Sequence, residues 1–361
     1  MKRVKSFVIV FFSLLPFMAF SPYKAGVTGK VEIVFCLDMS GSTNGLLNDI
    51  RDNIWDFIND FHKNNPETDL KIGLVGFARP SFGYENDYVR ILNNPTEDFD
   101  FVSWQLNKLK VNLEKGDQYV GSALYTACKE LKWSRENEAR KLIFLFGNGS
   151  VRAGRYDYRK ACYIALEKNI TINPVYTAQS TVNGKELGGW ESIAELTGGS
   201  FYIFRITKRS PLKRISADAQ WLIDFNEKIY DTYIYFGRDG QMHYELMQAA
   251  DKNALRMGEQ YFYSRCRYKA TEHYEQQNMQ WDLVSRMKTL PVDLERIDRR
   301  YLPDEVKKIP SRELKELIEI KQKRRENLMT GMEKTFITIP TDTLAITPFD
   351  SIFSGGMNIH F

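Results

Sequence analysis

Histidine and cysteine are both scarce: the 361 residues hold four of each. Cys36, Cys128, Cys162 and Cys266 never fall in C-x-x-C spacing, and no histidine cluster accompanies them. That pattern argues against a zinc site or a dithiol redox motif. The thiols read instead as small buried hydrophobes. In an exported protein a pair of them would be open to oxidation, but the sequence designates no pair. His62, His243, His273 and His360 are scattered, and none falls near a proposed strand end. Each reads as a solvated surface residue rather than a general base. There is no G-x-S-x-G elbow, no P-loop and no dinucleotide fingerprint. Asp38 and Asp117 are the one imaginable acid–base pair, and a structural or ligand role suits Asp38 better. The expectation is a protein that is not an enzyme.

Charge bias is also missing. The formal net charge is +4, which makes no case for nucleic acid as a partner. The densest basic run, Lys321-Gln322-Lys323-Arg324-Arg325, reads as a solvated helix face. Long apolar runs are absent except at the start. There, Lys2, Arg3 and Lys5 precede an apolar run from Phe7 to Phe20, and Ala19, Ser21 and Ala25 are small. This reads as a signal peptide over residues 1–25; the run is short for a spanning helix, which needs ~20 residues. The expected chain is exported, periplasmic or extracellular, with no transmembrane span once the signal is removed. No cysteine follows the run to carry a lipid, and no internal repeat is found.

What the chain does contain is an alternation of strands and helices. The proposed strands are Glu32–Leu37, Lys71–Phe77, Tyr88–Leu92, Lys141–Phe146, Thr171–Tyr176 and Ser200–Phe204. Several are continuous Ile, Val and Phe runs, as in a sheet covered on both faces. Between them, Leu47, Ile50, Ile54, Phe57, Ile58 and Phe61 recur at helical spacing, as do Ala123, Leu124, Ala127 and Leu131. The expected fold is α/β: a doubly wound, mostly parallel sheet with helices on both faces. It should span residues 28–235 and close through a helix near Ala219–Ile229. A mainly helical C-terminal region is expected over 236–334, with helical stretches at His243–Tyr274, Trp281–Leu290 and Ser311–Leu328. Residues 335–361 are nearly uncharged and read as a β-prone or disordered tail.

Ligands of such sheets bind outside the carboxyl ends of the strands. The first strand ends in Asp38-Met39-Ser40-Gly41-Ser42, an acid followed by hydroxyls at alternate positions. This D-x-S-x-S run resembles the first metal-binding loop of the von Willebrand factor type A (VWA) family. The resemblance implies a hard cation, Mg²⁺ or else Ca²⁺ or Mn²⁺, held by oxygens from three loops. Asp38, Ser40 and Ser42 match its first loop. The second loop normally supplies a threonine before Gly-x-Ala-Leu. In Gly116-Asp117-Gln118-Tyr119-Val120-Gly121-Ser122-Ala123-Leu124 that position falls to Gln118, with Tyr119 and Asp117 as alternatives. The third loop normally supplies an aspartate, and in Gly147-Asn148-Gly149 that position is Asn148. One of two carboxylates is therefore replaced by a neutral amide, which weakens the implied site; Asp117 would restore the charge if it turned inward. The competing reading is that Asp38, Ser40 and Ser42 hydrogen-bond their own loop and cap the next helix.

The altered loops, with Tyr233-Ile234-Tyr235-Phe236-Gly237 and Asn278-Met279-Gln280-Trp281-Asp282, resemble a subset of exported bacterial VWA proteins that has no well-defined biochemical role. Leu187–Gly199 also fits the family pattern, with a structural task. The resemblance implies adhesion or interaction with a protein partner through the loop surface, with Tyr84, Tyr119 and Tyr156 as candidate contacts. The alternative is a metal-free scaffold whose C-terminal helices and tail dock to an envelope partner.

Overall fold

The computed structural model describes residues 29–109, 117–136, 138–179, 181–206, 217–338 and 352. The proposed signal peptide, and the tail apart from 335–338 and Ile352, lie outside the described residues.

Six strands form one sheet: β1 Gly29–Asp38, β2 Thr68–Phe77, β3 Arg90–Thr96, β4 Arg140–Gly147, β5 Ile170–Ala178 and β6 Tyr202–Arg205. Their order is β3-β2-β1-β4-β5-β6. All pairs are parallel except β2–β3. All six proposed strands exist, though the third begins later than Tyr88. Asp87 and Tyr88 are left-handed (φ 52° and 58°), so extension starts only beyond them. That strand also runs on through Pro95, which a sheet edge tolerates because the missing N–H breaks no ladder.

Side-chain alternation divides the apolar runs between two cores. Ile33, Phe35 and Leu37 of β1, with Leu142, Phe144 and Phe146 of β4, face one side. Val34 and Cys36, with Ile143 and Leu145, face the other. The second side is covered by α3 Val120–Lys129, α4 Tyr158–Glu167 and α5 Gly184–Thr197. The first side is covered by α1 Leu46–Asn64, α2 Phe99–Lys108 and α6 Ala217–Tyr230. All four cysteines are buried free thiols, and burial pushes Cys128 and Cys162 up to about 12.

A further helical layer packs over α1 and α2. It consists of α7 Gly240–Met257 and α8 Glu259–Lys269, followed by α9 Glu272–Asn278, α10 Leu283–Thr289 and α11 Ser311–Thr338. The helical C-terminal region is thus present, and residues 335–338 continue α11 rather than forming strand. Helix α1 is consequently buried on two sides. Its polar face meets α8, where Asn59 Nδ2 donates to Ser264 O at 2.8 Å and Trp55 stacks on Tyr268. His62 is therefore not a surface residue: it is buried, its ring lies 4.0 Å from that of His273, and burial lowers it to about 4.

Two buried ionic nodes join this layer to the sheet domain. Asp251 of α7 accepts from Arg265 Nε and Lys269 Nζ, each at 2.7 Å, and from Asn226 and Tyr230 of α6. Arg265 Nη2 also reaches Asp100 Oδ1 of α2 at 2.7 Å. Burial works against the Asp251 charge, yet Lys269 and Arg265 hold its carboxyl at about 2. At the second node Arg325 of α11 donates to Asp282, Ser285 and Thr232 and lies over the Tyr233 ring. The basic run 321–325 is therefore only partly solvated: its last residue is buried, because Asp282 supplies the opposite charge.

Removing one member of a buried ion pair strands its partner's charge. Arg265→Leu is expected to lower the unfolding free energy by about 3–5 kcal/mol in urea titration. A half-buried pair gives a pH signature. His243 Nδ1 of α7 lies 2.9 Å from Asp98 Oδ2, and the hydrogen bond to Asp98 raises the imidazole above its ordinary 6.5. The stabilisation is complete below that value and is lost as pH rises through the raised pKa. His243→Gln should therefore lower the thermal midpoint at pH 5.5 and leave it nearly unchanged at pH 9.

Candidate functional site

Strand β1 pairs with β2 on one side and β4 on the other, so the chain crosses over at β1 and leaves a crevice at the carboxyl ends of β1 and β4. Asp38 ends β1 and Asn148 follows β4. Gln118 enters from the segment just before α3. The structure brings together five of the residues singled out from the sequence: Asp38, Ser40, Ser42, Gln118 and Asn148.

Their centre is the Gln118 carboxamide nitrogen. Nε2 lies 3.0 Å from Asp38 Oδ2, 3.2 Å from Ser40 Oγ, 2.7 Å from Ser42 Oγ and 2.6 Å from Asn148 Oδ1. The hydroxyls complete the network: Ser42 Oγ donates to Asn148 Oδ1 at 2.9 Å, and Ser40 Oγ and Ser42 Oγ share a hydrogen bond of 2.8 Å. Asn148 Nδ2 donates to Thr177 O at 3.0 Å. The first loop is also self-bonded, with Ser40 N donating to Asp38 Oδ1 at 2.8 Å. The expected helix cap is absent, however. Helix α1 starts at a left-handed Gly45 with no side-chain cap, and Thr43 instead ties the loop by donating to Asp38 O and Ser40 O.

Asp117 does not join the group. It is exposed, and its Oδ2 accepts from the Tyr119 hydroxyl at 3.3 Å. Among the described residues, Asp38 is thus the one carboxylate of the cage. Burial pushes it up to about 6, against the hydrogen bonds from Ser40, Asn148 and Gln118. The cage offers one carboxylate, and an amide N–H donor stands at its centre, where a hard cation needs oxygen ligands around it. Among the described residues, no group of three or more His, Cys, Asp or Glu side chains converges on a metal position. The donor set does not fit a resident Mg²⁺, Ca²⁺ or Mn²⁺.

Sequence reasoning missed the supports of this cage. Gly149 N donates to Glu186 Oε2 at 2.9 Å, and the same oxygen accepts from Tyr176 at 2.7 Å. Trp190 Nε1 donates to Gly149 O at 2.9 Å. Trp190 and Glu186 both lie on α5, so the family-like stretch 187–199, through Trp190 and with Glu186 just ahead of it, is structural in a specific sense: it anchors the third loop. No local signal in the sequence assigns Glu186 to a loop 37 residues away.

The tyrosines divide into two groups. Tyr84, exposed by 64%, leads a row in which its ring centroid lies 5.9 Å from Tyr88 and Tyr88 lies 5.6 Å from Tyr119. Tyr156 stands in a different contact, stacked at 4.0 Å on Tyr125. Tyr88 was not foreseen. It is placed by the left-handed pair Asp87–Tyr88, a conformation that costs roughly 1–3 kcal/mol per residue. Asp87 is held there by Ser122 Oγ at 3.2 Å and Arg155 Nε at 3.4 Å.

Residues 33–150 match the family model for the von Willebrand factor type A domain. This stretch carries a VWA-type fold. No curated protein matches the chain. Among solved structures, the VWA domain of SpRpn10 is similar at 15% identity and a TM-score of 0.36, covering 51% of this chain and 91% of that one. An aerotolerance-related membrane protein from Bacteroides fragilis is similar at 16% identity and 0.36, covering 49% and 92%. Proximal thread matrix protein 1 from the mussel byssus gives 16% and 0.35, covering 50% of this chain and 42% of its own.

The close approach of α3 to the third loop offers a direct test of the site's rigidity. A Cβ at Gly121 would stand 1.9 Å from Tyr156 O, a backbone atom that cannot swing aside. Gly121→Ala should cost about 1–3 kcal/mol of stability by chemical denaturation, whereas Gly188→Ala, where a Cβ meets open space, should cost far less.

Proposed function

We propose that this chain is an exported, non-enzymatic scaffold that binds a protein partner without a resident cation. The observation that carries this is the cage itself, where one carboxylate and three neutral oxygens surround an amide donor. In the cation-dependent mode a partner carboxylate completes the metal's coordination shell; here no such vacancy is offered. Recognition then rests on shape and on the loop surface beside the cage. The exposed Tyr84 and the row behind it supply apolar area with polar tips, a composition suited to protein contact. Export rests on the N-terminal charged and apolar segment, and a periplasmic or extracellular location follows from it. Among the described residues, no helix is long and apolar enough to cross a membrane.

A second surface is supported by one observation. Helix α11 is 28 residues long and presents Ile320 at 65% exposure, which is the docking region of the metal-free alternative. In-cell photo-crosslinking of the full chain separates the two. Tyr84→Ser should abolish capture of the crosslinked partner, and EDTA should leave capture intact. Loss of capture in Ile320→Lys with retention in Tyr84→Ser would transfer the contact to the helical layer. Loss in EDTA would overturn the cation-free reading.

A further inference from the structure

We infer that the Gln118 carboxamide is the built-in occupant of the oxygen cage, so that Gln118 is the residue that shuts divalent cations out. This deepens the scaffold reading and rests on its cation-free premise. Two independent features carry it. The first is the nitrogen's position, within 2.6–3.2 Å of oxygens from all four surrounding side chains. A Ca²⁺ or Mg²⁺ ion needs such oxygens at about 2.0–2.6 Å, and the amide hydrogens already fill the space between them. The N–H dipoles bring partial positive charge toward Asp38, which replaces in small measure what an ion would bring.

The second feature is a seat for the other half of the amide. Gly149 has φ +81°, and a Cβ built there would stand 2.0 Å from Gln118 Oε1. The carboxamide therefore lies across a bare backbone position, with its oxygen over Gly149 and its nitrogen turned into the cage. Turning the amide over would bring Oε1 against Asp38 Oδ2 and Asn148 Oδ1, acceptor facing acceptor. The loops are thus closed by one neutral side chain that spans from the second loop to the first and third. A shorter hydroxyl side chain at residue 118 would leave the centre open, and a second carboxylate at 148 would give an ion the charge it lacks.

Calorimetric titration of Mg²⁺, Mn²⁺ and Ca²⁺ into wild type, Gln118→Thr and Gln118→Thr/Asn148→Asp tests the inference. Wild type should give no saturable heat at millimolar metal. The double variant should bind one ion, at least tenfold more tightly than wild type, and adding Asp38→Ala should remove that binding. Thermal melts provide the second readout. The wild-type midpoint should not move with EDTA or added metal, and Gln118→Ala, which empties the cage, should melt several degrees lower. Saturable wild-type binding that vanishes in Asp38→Ala would overturn the inference. So would a folded double variant with no metal response, or a Gln118→Ala midpoint equal to that of wild type. These readouts concern the cage alone; failure of partner capture with a silent cage would fault only the scaffold reading.

Discussion

The pairing of β1 with both β2 and β4 is the constraint on which the loop surface depends. A central parallel strand is buried on both faces, so beyond Glu32, whose carboxylate accepts from Ser134 N, the residues of β1 are apolar until the chain leaves the sheet. Asp38 stands at that point of exit. Because the crossover direction reverses between β1 and β4, no helix closes the space above them, and loops from three separate parts of the chain converge there. Everything polar in the crevice then has to find partners within it. The Gln118 amide, the Ser40 and Ser42 hydroxyls and the Asn148 amide do so among themselves.

The helical layer obeys a different rule. Its burial against α1 and α2 draws in charges, and these are tolerated because each is matched. Asp251 faces both Arg265 and Lys269, while Asp282 faces Arg325. Such nodes are weak sources of net stability but severe when broken. They make the layer specific in its placement, since sliding it would break the links from the same nodes to Asp100 and Asn226 of the sheet domain and to the Thr232 carbonyl. Met247, Ala250 and Phe262 of this layer share one core with Phe35 and Phe144 of the sheet, as does Ile352. The loop surface therefore rides on a thick, rigid support rather than on a sheet covered by a single layer of helices.

Much of the fold was legible in the linear chain because it follows from periodicity. Strands came from apolar runs, α1 from its 3.6-residue stripe, and the last helix of the sheet domain from its apolar positions. The D-x-S-x-S run at the end of β1 marked the crevice, and the converging loops were legible through the landmarks around Gln118 and Asn148. Errors arose where a second layer changed the environment. His62 and Arg325 look like surface residues by local pattern. Both are buried because helices distant in sequence cover them.

The sequence by itself determined the alternation of strand and helix, the place of Asp38 at a strand end, and the replacement of an acid by Asn148. Those features are local, set by side-chain period and by residue type. Only the tertiary structure decided what the replacements do. Whether Gln118 points outward, lends an oxygen to an ion or fills the cage with its nitrogen depends on atoms brought from residues 38, 42 and 148. It depends also on the empty space over Gly149. Hydrogen-bond direction is a property of the assembled acceptors, and no residue in isolation carries it.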